Sequence, residues 1–167
     1  GASIGVLHRH RPIAGAVWCS AGHALRAGVY HAFEGGRLHF EGDAIDHVGN
    51  PAVRRWLAGE PEATSAEGLP WDVRKTGSAA IECAFVAAGL LRVARFERPN
   101  VWDVAGGMAL VRATAGTILT DAGEGWQVFD RFDAIRHSTA ALADLRHWRQ
   151  PLILGEAEAA SLLAQGI

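Results

Sequence analysis

The 167-residue sequence predicts an α/β fold, and three observations carry that expectation. The last hundred residues alternate between short strand-like and helix-like runs, the pattern of helices packed on a sheet. Two of the helical runs, over 78–91 and 102–116, are nearly uncharged, so most of their faces must be covered by protein. The first third reads instead as β-prone runs joined by basic or Gly-rich turns.

Taken in order, "ASIGVL" and "PIAGAVW" flank "HRHR" as a hairpin with a basic turn. "GVYHAF" and "GGRLHF" form a second hairpin, with Gly35 and Gly36 expected to supply positive φ angles at the connection. "GNPAVRRWLAGEP" follows as a short amphipathic helix, opened by Asn50 as cap and Pro51 at the first helical position. The acidic, small-residue run ending at Pro70 reads as a linker, dividing the chain into units 1–70 and 71–167. "WDVRKTG" is a short strand and turn, and the helix over 78–91 carries Glu82 as its only charge. "RVARFE" alternates as a strand, and a second helix ends near Gly116. "TILT" and "WQVF" are strands about the turn "DAGEG". Then come a polar-faced helix over 138–150, the buried strand "PLILG" and a closing helix. There is no internal repeat.

Charged residues make up 20% and the net charge is −2, so the totals point to neither nucleic acid nor a membrane surface as partner. "HRHR" and "RHWR" are too short to argue nucleic-acid binding on a net-acidic chain. No run of about 18 apolar residues appears, nor a secretory leader pattern, and the expectation is a cytoplasmic protein. Cys19 and Cys83 lie in apolar surroundings without paired spacing, which suits core packing rather than a disulfide.

Six of the eight histidines, His8, His10, His23, His31, His39 and His47, fall in the first 47 residues. Their spacing makes no zinc motif, and they read as solvent-facing strand and turn residues. "CSAGH" reads as a turn rather than a nucleophile with its base. The six tryptophans read as core or interface anchors. Glu82 is either a paired core acid or one facing the boundary between the two units.

Asp103 stands where a helix cap belongs, accepting from backbone N–H groups and complementing the helix dipole. Gly106 and Gly107 follow it, although glycine costs about 1 kcal/mol against alanine inside a helix. Two together imply that a second backbone or a ligand approaches closely. Trp102 walls one side of the carboxylate.

"WDVAGGMALVRATAG" resembles the C-terminal signature of the inositol monophosphatase family, in which W-D-x-A-G opens a helix and the Asp binds magnesium. "TGSAAIECAFVAAGLL" is similar to that family's G-[ST]-A-A helix, and "ARFE" to its strand ending in an acid. "ASIGVLHRHRPIAGAVWCS" and "HAFEGGRLHFEG" resemble its two hairpins. The resemblance implies a layered α-β sandwich acting as a magnesium-dependent phosphomonoester hydrolase on a small polyol or sugar phosphate. Carried over, Asp103 would be a Mg²⁺ ligand and Glu97 would accept from a substrate hydroxyl. Gly77, Ser78 and Ala79 would line the substrate pocket at a helix N-terminus, where free N–H groups meet anionic or hydroxyl-bearing ligands.

The family's upstream metal motif, D-P-x-D-G-T, has no counterpart in residues 1–167. "DAID" at 43–46 lacks its Pro and Gly. The expectation is therefore a fold whose N-terminal half is missing, since a lone carboxylate would hold Mg²⁺ poorly. Activity would require completion by a missing N-terminal segment or by a partner chain. The alternative is a non-catalytic binding or assembly module. Between the second hairpin and residue 74 a further strand is expected from the family and only a helix and linker are read. A sheet left open at its first hairpin implies self-association as a homo-oligomer.

Overall fold

The computed structural model describes residues 1–45, 57–60, 70–132 and 145–166. Within them the layered α-β sandwich holds. Strands β1 (Ala2–His8), β2 (Arg11–Cys19), β3 (Gly28–Phe33), β4 (His39–Phe40) and β5 (Asp43–Ala44) form a five-stranded antiparallel meander in sequence order. The other strands are β6 (Leu57–Gly59), β7 (Asp72–Arg74), β8 (Val93–Phe96), β9 (Thr117–Asp121), β10 (Trp126–Val128) and β11 (Leu152–Gly155). They build a mixed sheet in the order β10-β9-β11-β8-β6-β7. Helices α1 (Ala79–Ala87) and α2 (Val101–Ala113) lie between the two sheets, and α3 (Ala157–Gln165) covers the far side of the second.

This layering explains the uncharged helices. Both faces of α2 are covered, and its residues 104–111 are all buried. β11 shows the period of two expected of a strand between layers. Leu152 and Leu154 enter the core between the sheets, whereas Ile153 joins Ala160 and Leu163 under α3.

The glycine pair is answered by geometry. A Cβ on Gly106 would stand 2.6 Å from the Ile4 carbonyl oxygen on β1, and one on Gly107 2.2 Å from the Cβ of Cys83 on α1. Gly106 thus admits the first sheet and Gly107 admits the neighbouring helix. The close approach is by protein, not ligand.

Several expectations are corrected. The helix read over 49–61 and the linker lie largely outside the described residues, but Leu57–Gly59 is a strand, parallel to both β7 and β8. It supplies the sheet member expected between residues 40 and 74, from a segment too short to show alternation. Of the helix read over 138–150, only 145–150 is described. It holds a single 3-10 turn, Leu145–His147, after which Trp148 packs edge-on against Phe129 and Phe132. Gln150 precedes Pro151, a position biased towards extended backbone, and the chain runs straight into β11.

At the second hairpin Gly35 has φ +75°, while Gly36 is not left-handed and lies against the Phe33 ring. At the first, the register His8↔Arg11 leaves Arg9 and His10 as a two-residue turn at φ +49° and +65°. The histidines are less solvated than their sequence context suggests. His10, His23, His31 and His39 are half-buried, and His23 Nδ1 lies 2.9 Å from the Tyr30 hydroxyl, with Phe40 edge-on to its ring. Burial pushes the Cys19 thiol up to about 11 and the Cys83 thiol higher still, so both are inert packing groups. No helix among the described residues is long and apolar enough to cross a membrane.

Candidate active-site cleft at two helix N-termini

The N-termini of α1 and α2 open onto one cleft of about 460 Å³ beside the start of β1. α1 begins there because Ser78 is extended and its Oγ accepts from Ile81 N, capping the first turn. Gly77, at φ +75°, turns the chain into that cap, and a non-glycine residue there would be strained. Gly77, Ser78 and Ala79 line the cleft together with Ala80.

α2 supplies the opposite wall through Trp102 and Asp103. Asp103 is not the cap itself. The helix begins two residues earlier, at Val101, with Asn100 as the N-cap and Asp103 at the third helical position. Asp103 Oδ2 accepts from Asn100 Nδ2 at 2.6 Å and from Asn100 N at 3.3 Å, the second being the reach back to the cap's backbone N–H that a capping box contains. The N-x-x-D spacing carried this signal, and reading the cap at Asp103 overlooked it. The half-buried carboxylate is thereby held in one orientation. Trp102 is 56% exposed, and the Arg149 guanidinium lies 5.6 Å from the centre of its ring, a cation–π contact.

Ser3, which the sequence did not single out, also lines the cleft, its Oγ buried against α2 at Gly106 with no hydrogen-bond partner among the described residues. Glu97 is not among the lining residues. It is half-buried at the end of β8, where its Oε1 accepts from Arg95 Nε at 2.7 Å. Four of the five residues singled out therefore converge, and the fifth does not.

The positive ends of two helix dipoles meet at this cleft with a single fixed carboxylate. N–H groups in the first turn of a helix such as α1 suit an anionic or hydroxyl-bearing ligand. For a divalent cation the donor set is short. Magnesium takes about six oxygens in near-octahedral geometry. Here one carboxylate faces the cleft with an oxygen already engaged by Asn100, and no group of three or more His, Cys, Asp or Glu converges among the described residues. Asp103 fits as one ligand of such a site. It does not compose one.

Residues 1–151 match the model of the inositol monophosphatase family. The chain is 29% identical over 142 residues to the inositol-1-monophosphatase ImpA of Mycolicibacterium smegmatis, an alignment covering 75% of this chain and 50% of that protein. The chain thus spans about half the length of this curated relative. Among solved structures it is similar to inositol monophosphatase II of Staphylococcus aureus, at a TM-score of 0.67 and 20% identity, over 97% of this chain and 57% of the other. It is also similar to the inositol monophosphate-bound SaIMPase-II, at 0.61 and 19%, over 97% and 59%. At these identities the structural likeness shows the fold.

Proposed function

The chain belongs to the inositol monophosphatase family, and on that premise we propose that it serves a phosphomonoester hydrolase acting on a small polyol or sugar phosphate of the inositol 1-phosphate type. The observation that carries this reading is the meeting, in one cleft, of the α1 N-terminus at Gly77–Ala79 with the carboxylate of Asp103. The chemistry follows from what each group offers. The amides at the start of α1 bind the substrate's hydroxyls or phosphate and orient it against the Trp102 wall. Asp103, fixed by Asn100, contributes one hard oxygen to magnesium, with further carboxylates required beyond the described residues. Bound there, the metal would polarise phosphoryl oxygens and generate a nucleophilic water. Glu97 enters as a hydroxyl acceptor on the family resemblance alone. The substrate class has support in the inositol monophosphate held by the staphylococcal relative.

Self-association belongs to the same proposal. β1 is the edge of its sheet, and Ile4, Val6, Trp18 and Phe33 place apolar side chains in solvent on one face of that sheet. A monodisperse monomer in sedimentation across the micromolar range would remove it.

The test is phosphate release from inositol 1-phosphate with and without Mg²⁺, for the wild type and Asp103→Asn. Magnesium-dependent release lost in the variant supports the reading. Tight binding of inositol 1-phosphate without release would move the reading to a non-catalytic binding module. The absence of both binding and release would overturn the reading.

A further inference from the structure

Glu82 is fully buried, and a carboxylate taken out of water persists only where hydrogen bonds hold it. Its Oε1 accepts from the backbone N of Thr76 at 2.9 Å and from the Thr76 hydroxyl at 3.0 Å. That hydroxyl in turn accepts from the backbone N of Ser78 at 3.2 Å. The relay runs from the N-cap of α1, through Thr76, to a buried acid one turn into the helix. It encloses Gly77, whose φ of +75° it helps to hold. On its other side the carboxylate abuts β6, where a Cβ on Gly59 would come 2.9 Å from Glu82 Oε2. The strand therefore leaves room for the acid where any larger residue would displace it.

We propose that Glu82 is a positioning residue for the cleft: through Thr76 it fixes the turn that presents Gly77, Ser78 and Ala79 to the ligand. The inference rests on the proposed reading of that cleft as the substrate site. Glu82 is not among the residues that line it. Its carboxyl acts at a distance of one hydrogen-bonded residue. Hydrogen bonds that N–H and O–H donors make to a carboxyl oxygen are stronger in a dry interior than in water, which suits a turn that must hold its shape before a ligand arrives. The device resembles the outer-shell contacts that orient ligating groups in metal sites.

The experiment compares Thr76→Val, Thr76→Ser and Glu82→Gln with the wild type, using amide hydrogen exchange at 77–79 and titration with inositol 1-phosphate followed by amide shifts. Thr76→Val removes the hydroxyl link and keeps side-chain shape. It should speed exchange at Gly77, Ser78 and Ala79 by about tenfold while global protection in α2 is kept. It should also weaken inositol 1-phosphate binding by about fivefold or more, and Thr76→Ser should restore both. Glu82→Gln, which keeps the volume, should move the same amides. Unchanged exchange in Thr76→Val, or failure of Thr76→Ser to rescue it, would overturn the proposal. A wild-type chain that binds no inositol 1-phosphate would sink the reading of the cleft instead, and the exchange data would still decide whether Glu82 orders the turn.

Discussion

The backbones of Gly15 and Gly106 touch: a Cβ on Gly15 would lie 2.0 Å from the Gly106 carbonyl oxygen. Sheet and helix therefore meet main chain to main chain, and the cleft depends on it, because α2 reaches the start of β1 only at this separation. Gly15→Ala forces β2 off the helix, and the obstacle is backbone rather than a side chain that can swing away. The expected cost is about 3 kcal/mol or more. For a chain of this size that lowers the thermal midpoint by roughly 6–12 °C. A loss below about 1 kcal/mol in urea unfolding would mean that α2 lifts from the sheet at little cost.

Asp103 has two duties, and the structure allows them to be separated. Its side-chain oxygen completes a cap with Asn100, a task an amide oxygen can perform. Asp103→Asn should therefore cost no more than about 1 kcal/mol of stability while abolishing magnesium-dependent phosphate release by the protein with its remaining metal ligands supplied. Asn100→Ala should show the reverse emphasis, losing about 1 kcal/mol of helix stability and keeping measurable turnover. Thermal unfolding and phosphate release on both variants check the split. Full turnover in Asp103→Asn would take Asp103 out of the chemistry.

Legibility followed the range of the signal. α1, α2 and the paired hairpins were readable because periodicity, turns and caps are local. The paired Gly106 and Gly107 announced a close approach, but only the tertiary arrangement shows that β1 takes one and Cys83 the other. β6 was invisible since three residues, two of them buried, show no period, and its strand state comes from β7 and β8 on either side. In the cleft, Gly77, Ser78, Ala79 and Asp103 came from the resemblance. Thr76 and Ser3 lie within stretches that carry the resemblance but drew no role there, because their roles arise from contacts with Glu82 and α2 that no spacing encodes.

The first hairpin turn holds Arg9 and His10 at positive φ, a conformation that suits Asn-Gly far better. Left-handed non-glycine residues each cost of order 1 kcal/mol or more. Replacing the pair by Asn-Gly should raise stability by about 1 kcal/mol, measured by urea unfolding. The Phe132 N to His10 O bond is made to backbone and survives the exchange. A destabilised double variant would show that the basic side chains themselves hold this turn.

Glu60 gives a pH dependence whose sign is fixed by burial. It is 8% exposed, and its Oε1 accepts from Trp71 Nε1 at 3.4 Å, a long bond. Desolvation pushes its carboxyl above the ordinary carboxylate range, and the Trp71 bond and the charge of Arg95 only partly oppose this. The folded state therefore binds this proton more tightly than the unfolded state does. Stability from this group is fully present below the unfolded carboxylate pKa of about 4.5 and is lost as pH rises through the raised folded value. Glu60→Gln keeps the volume and the acceptor while removing the titration. Its gain over the wild type should be small at pH 4, grow as pH rises, and level off near neutrality. Urea midpoints for both proteins at half-unit steps from pH 4 to about pH 8 would trace that difference. A constant difference across the range would mean that Glu60 is as well solvated in the fold as out of it, and that the Trp71 contact, not desolvation, governs the site.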